Sequence, residues 1–161
     1  MSARSRTPST PLPATLRLRR ATIADLAALD VLENISFTGD KLSRRRLQHW
    51  ITAPNAILLV AAGKHELLGS ALVLQRTDSP AARLYSIAIS PAARGQGLGS
   101  KLLHKAEALA REQGSTAMRL EVAAGNTAAI GLYQKLGYRV FGRKPVYYED
   151  GQDALRMHKP L

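Results

Sequence analysis

The stretch "ISPAARGQGLGSKLL" (Ile89–Leu103) sets three glycines, Gly95, Gly97 and Gly99, in alternation just ahead of a segment with helical spacing. Arg94 stands in front of them and Lys101 close behind. Glycines so spaced let main chain come near a ligand, and a helix that starts there aims unpaired N–H groups and a positive dipole end at it. Phosphate suits such a loop, although an ordinary strand-to-helix turn can use the same residues. Two better-known phosphate loops fail on spacing. A dinucleotide fingerprint needs Gly or Ala where Gly95 and Gly97 lead to Ser100. A nucleotide P-loop needs glycine followed directly by lysine, whereas Gly99 is followed by Ser100.

Working outward, "RLYSIAIS" before the loop reads as a strand. After the loop, Leu98, Leu102, Ala106 and Leu109 fall on one helical face, and Gly114 stops the helix. "TAMRLEVA" is a further strand, and Asn126 caps a helix "NTAAIGLYQKLG" closed by Gly137. "YRVFGR" and "DALRMHKP" then read as two final strands around a turn at Asp150 and Gly151. Upstream, "LRLRRA" predicts a short strand, and Thr22 with Asp25 opens a helix to about Ile35 through a capping-box variant. Ser43 starts a second, basic helix that ends before Pro54, and "AILLVAA" and "LLGSALVLQR" flank "GKHE" as a hairpin. The order is strand, two helices, three strands, helix, strand, helix, two strands. It predicts an α/β (α+β) fold: a mixed, mostly antiparallel twisted sheet with helices on both faces and parallel pairing where a helix crosses over.

The 161 residues suit one domain, taken as residues 16–161. Residues 1–15, "MSARSRTPSTPLPAT", are rich in Ser, Thr and Pro and are expected to be a disordered lead. No apolar run approaches a membrane span and no secretory h-region is present, so a cytoplasmic protein without membrane contact is expected. The formal charge of +11 makes an anionic ligand plausible. Aromatic residues are only 5% and do not interleave with basic ones, so nucleic acid is not expected as a substrate. With no cysteine there are no disulfides, thiolate metal sites or cysteine nucleophile. The four histidines, His49, His65, His104 and His158, show no metal-ligand spacing. The run Arg44–Arg46 reads first as a solvated helix face, and second as a neighbour of an anionic substrate.

Alternation within "MRLEV" sets Met118, Leu120 and Val122 on one face and Arg119 and Glu121 on the other. Glu121 is then either a structural ion-pair partner or a base placed by burial. Tyr133 reads as a core aromatic with an outward hydroxyl, Asn126 as a cap, and the pair Tyr147 and Tyr148 as strand packing or the wall of a cleft.

The glycine loop, then Glu121, Asn126 and Tyr133 in that order, resembles the GNAT N-acetyltransferase superfamily from about Leu16 onward. Arg94, Gly97 and Gly99 match its acyl-CoA loop. The segment "RLEVAAGNTAAIGLYQKLGY" with the later "YY" is similar to the RimI type, which acetylates the N-terminal amine of a ribosomal protein. Where that pattern has Asn before the paired tyrosines, this chain has Val146.

The resemblance implies acetyl-CoA as co-substrate and no metal. It assigns the pyrophosphate to Arg94, Gly95, Gln96, Gly97, Leu98, Gly99 and Ser100, and the pantetheine arm to Asn126. Alignment of the thioester falls to the main chain of Ile87, Ala88 and Ile89. Glu121 corresponds to the general base, and Tyr133 to the acid that protonates the departing thiolate. Without cysteine, direct attack by the amine is the economical mechanism. An α-amine at about 8 needs less help than a lysine at about 10.4, so one carboxylate suffices. The expected acceptor is a protein or peptide N-terminus. A small amine, or a non-catalytic acyl-CoA sensor or RNA-docking module, is the alternative. A monomer or dimer is expected.

Overall fold

The computed structural model describes residues 11–37 and 41–161. Strands β2 (Ala56–Ala62) and β3 (Leu67–Gln75) show how its layers arise. Along β2, Ile57, Leu59 and Ala61 enter one apolar cluster, while Leu58 and Val60 enter another. Strand alternation divides them, and because both faces are covered the segment reads as an unbroken apolar run rather than as alternating polarity.

Helix α3 (Leu98–Glu112) closes the first cluster with Leu98, Leu102, Leu103, Ala106 and Ala110, and α4 (Thr127–Lys135) adds Tyr133. Helices α1 (Leu26–Ser36) and α2 (Arg44–Thr52) close the second through Leu29 and Leu47. The remaining strands are β1 (Arg17–Arg20), β4 (Ala81–Ile89), β5 (Ala117–Ala123), β6 (Arg139–Lys144) and β7 (Ala154–Pro160). They complete a seven-stranded sheet in the order β1-β2-β3-β4-β5-β7-β6. Only β4 and β5 pair in parallel, and α3 is the crossover between them, as the element order requires.

Local signals in the sequence act as expected. The Asp25 carboxylate accepts from the Thr22 N–H at 2.7 Å and forms a two-pronged pair with Arg19, opening α1 through a short 3-10 turn. Ser43 Oγ accepts from the Arg46 N–H at 3.2 Å, and Asn126 Oδ1 from the Ala129 N–H at 3.2 Å. A buried polar knot ties α3 to β7: the Tyr138 hydroxyl donates to Glu107 at 2.7 Å, and Lys159 Nζ reaches the same carboxylate at 2.9 and 3.1 Å. Among the described residues no helix is long and apolar enough to cross a membrane.

One expectation changes. Residues 11–15, counted with a disordered lead, carry defined contacts: the Leu12 N–H donates to Gln96 Oε1 at 2.9 Å, and Leu12 packs against the first cluster. One apolar side chain with somewhere to dock outweighs the polar composition around it. Residues 1–10 of that lead lie outside the described residues. The β6–β7 connection runs over residues 145–153 and contains the expected turn, where the Gly151 N–H donates to the Tyr148 carbonyl at 2.9 Å.

Within this connection Val146 has φ +47°, a left-handed conformation that costs a β-branched residue about 1–2 kcal/mol. Its side chain is exposed, and its N–H donates to Asp153 Oδ1 at 2.9 Å. Val146→Asn therefore relieves strain without losing packing, and should raise stability by about 1 kcal/mol in thermal or urea unfolding. An unchanged or lower midpoint would show that the turn is not strained.

Candidate active site

β4 and β5 pair only between Ala81–Leu84 and Ala117–Leu120. At that point the β3–β4 register steps from Val73↔Leu84 to Leu72↔Ser86, leaving Tyr85 as an extra residue on β4. A bulge bends its strand and ends pairing on the far side. Beyond it the two strands part, and the main chain of Ser86–Ile89 pairs with β3 alone among the described residues. A cleft of about 860 Å³ opens in the gap, between β4 and the glycine loop on one side and Glu121–Ala123 with α4 on the other.

Of the residues expected at the site, Ile87, Ala88, Ile89, Arg94, Gly95, Gly97, Leu98, Gly99, Ser100, Glu121, Asn126 and Tyr133 all line this cleft. Gln96 does not. Its amide is committed elsewhere, accepting from the Leu12 N–H and donating to the Ala92 carbonyl at 3.4 Å. Arg94 Nε donates to the Ile89 carbonyl at 3.3 Å, tying the loop to the end of β4.

Gly95 and Gly97 have φ +78° and +79°, which side chains rarely adopt, and a Cβ built on either meets no atom within 4 Å. Gly97 is the N-cap of α3, with no side chain capping it. The first N–H groups of the helix thus lack intrahelical partners and border the cleft, as an anion site requires. This open cradle fits a pyrophosphate. Gly97→Ala should cost about 1–2 kcal/mol of stability from backbone strain. It should weaken acetyl-CoA binding by about tenfold or more as the methyl crowds the cradle. Calorimetric titration checks this; unaltered affinity would remove the loop from the binding site.

A second cleft of about 590 Å³ adjoins the first, lined by Lys41, Leu42, Arg46, Arg83, Tyr147 and Glu149 together with Leu84, Tyr85, Glu121 and Tyr148. Leu84, Tyr85, Glu121 and Tyr148 belong to both, so Glu121 lies at the junction. Its side chain is 7% exposed; Arg83 Nη2 stands 2.5 Å from Oε1, and Arg156 Nε 3.9 Å from Oε2. Of the two readings left open for Glu121, the ion pair is present. The contact is ionic rather than an aligned hydrogen bond, because Glu121 Oε1, Arg83 Nε and Arg156 Nε are buried without hydrogen-bond partners. Arg83 Nη2 also donates to the Tyr147 hydroxyl at 3.1 Å.

Tyr133 is 6% exposed, with its ring 5.8 Å from that of Tyr138 in a T-shaped contact. Burial, and secondarily the charge of Tyr148, pushes its phenol up to about 12. The hydroxyl therefore keeps its proton at neutral pH.

A splayed parallel pair beside a glycine-capped helix, with a carboxylate and a protonated phenol lining the same cleft, defines an acyl-CoA transferase site. The model of the acetyltransferase (GNAT) family matches residues 24–138, and the chain belongs to that family. It is an N-acetyltransferase that uses acetyl-CoA as acyl donor.

The chain is 33% identical over 141 residues to a putative ribosomal protein bS18-alanine N-acetyltransferase of Bacillus subtilis, covering 87% of this chain and 92% of that protein. It is 30% identical over 149 residues to the N-terminal acetyltransferase A complex catalytic subunit NAA10 of Arabidopsis thaliana, covering 89% and 77%. Among solved structures, the ribosomal-protein-S18-alanine N-acetyltransferase of Escherichia coli superposes with a TM-score of 0.82 at 26% identity, covering 91% and 94% of the two chains.

Sequence reasoning missed Arg83, Arg156 and Tyr85. Alternation in "RLYS" does place Arg83 opposite Leu84, but nothing local says that β5 lies alongside and β7 beyond it. Arg156 stands directly across from Glu121 in the β5–β7 ladder, a register visible only once the sheet is assembled.

Proposed function

We propose that the protein acetylates the α-amine of a protein or peptide N-terminus in the cytoplasm, with Glu121 as general base and Tyr133 as general acid. The observation that carries this reading is the position of Glu121 at the junction of the two clefts, the first of which Tyr133 also lines. The similarity to enzymes named for N-terminal acetylation, over nearly the whole chain, supports the acceptor class. Bound acetyl-CoA supplies an activated thioester carbonyl for the amine.

The chain's own groups do the rest. Arg94, Gly95, Gly97 and the first N–H groups of α3 would hold the pyrophosphate, and Asn126 the pantetheine arm. Main-chain groups of Ile87–Ile89, which in the sheet pair with β3 alone among the described residues, would align and polarise the thioester. Glu121 takes a proton from the incoming ammonium, directly or through a water. The Tyr133 hydroxyl gives its proton to the departing sulfur. The side-chain amide of Gln96 is turned toward Leu12, which leaves only its main chain to the loop.

The test is CoA release with two matched neutral peptides, one with a free N-terminus and no lysine, the other N-blocked with one internal lysine. Release with the first alone is expected. Release with neither, while acetyl-CoA still raises Tm, would move the acceptor to a small amine.

A further inference from the structure

The second cleft holds cations that the transfer chemistry does not use. Arg46 of α2 lies over the Tyr85 ring, 5.4 Å from its centroid, and its Nη2 donates to the Tyr85 hydroxyl at 2.9 Å. Arg83 faces the same ring at 5.3 Å. Tyr85 is the bulged residue, so the irregularity that parts the strands also presents a ring to both guanidinium groups. Arg83 is committed to Glu121, but Arg46 and Lys41 have no carboxylate within ion-pair distance among the described residues. Lys41 Nζ meets only the neutral Asn34 Oδ1, at 2.9 Å. Among the described residues the one other acid lining the cleft is Glu149, which is exposed.

An amine placed at Glu121 must send its substituents somewhere, and the adjoining cleft is contiguous with that point through Tyr85 and Tyr148. We infer that this cleft reads an acidic side chain next to the acceptor's α-amine, with Arg46, held in place by Tyr85, as the residue that selects it. The inference rests on the N-terminal reading above. Stacking and the hydroxyl bond remove conformational freedom from the guanidinium beforehand and leave its other N–H groups for a carboxylate. A lysine in the same place would meet Arg46 and Lys41, with Glu149 to offset them among the described residues, so repulsion adds to selection alongside attraction.

The experiment uses the full chain and three peptides with a free N-terminal serine, identical except for Glu, Gln or Lys as second residue and with no other lysine. Free glutamate is a fourth acceptor. CoA release should give kcat/KM in the order Glu, Gln, Lys, with about tenfold between the extremes, narrowing at high salt. Arg46→Gln should flatten the order and Arg46→Glu should invert it. Arg46 is exposed, so an unchanged Tm would show that both variants remain folded. Equal kcat/KM for the three peptides, or an unaltered order in Arg46→Glu, would overturn the inference and leave the N-terminal reading standing. No release from any peptide would overturn both, and free glutamate matching the glutamyl peptide would overturn selection of a peptide.

Discussion

Glu121→Gln is expected to lower kcat by about a hundredfold or more at neutral pH, the range removed with a general base, while acetyl-CoA affinity stays nearly intact. The amide keeps the shape of the side chain, and Glu121 lines the side of the cleft opposite the glycine loop that would hold the pyrophosphate. The loss should appear in kcat and kcat/KM together, as for an interaction made in the transition state. Stability should fall as well, by about 1–3 kcal/mol, because Arg83 and Arg156 lose the carboxylate between them. Measuring turnover, acetyl-CoA affinity and Tm on one preparation separates the roles. Lower Tm with unchanged turnover would leave Glu121 as an ion-pair partner only. Lost acetyl-CoA binding would place it in the donor site instead.

Tyr133→Phe should lower kcat by about ten- to a hundredfold at neutral pH, with little change in acetyl-CoA affinity or Tm. No hydrogen bond to the hydroxyl is present among the described residues, so removing it strands no partner and the ring contact with Tyr138 remains. The pH dependence has a definite sign. With the phenol at about 12, the protonated form needed for donation persists across the working range, and Tyr133 gives the wild type no alkaline limb below about pH 11. A thiolate leaving group has a conjugate acid near about 8.5, so above that pH the need for a proton donor fades and the deficit of the Phe variant should shrink. A deficit that stays constant with pH would mean that the hydroxyl positions rather than protonates.

Much of this was legible in the letters. The glycine spacing at Gly95 and Gly97, the caps at Ser43 and Asn126, and the stop at Gly137 are local, and they act through φ preferences and hydrogen bonds within a few residues. The alternation that sends Met118, Leu120 and Val122 into one cluster also turns Glu121 to the opposite face, so the candidate base was visible before the sheet was assembled. The run Arg44–Arg46 was readable as charge but not as a site. The tertiary structure separates its members, placing Arg44 3.9 Å from Asp30 and Arg46 over Tyr85 in the second cleft.

By itself, then, the sequence determined the elements, their order, and which side chains share a face, because strand and helix periods are properties of the local backbone. The tertiary structure alone decided that β4 and β5 part after Leu84, that Tyr85 is the residue left over, and that Glu121 stands between Arg83 and Arg156. Register and bulge position come from packing many residues at once across both faces of a sheet, and an ion pair between residues 38 positions apart has no local signature.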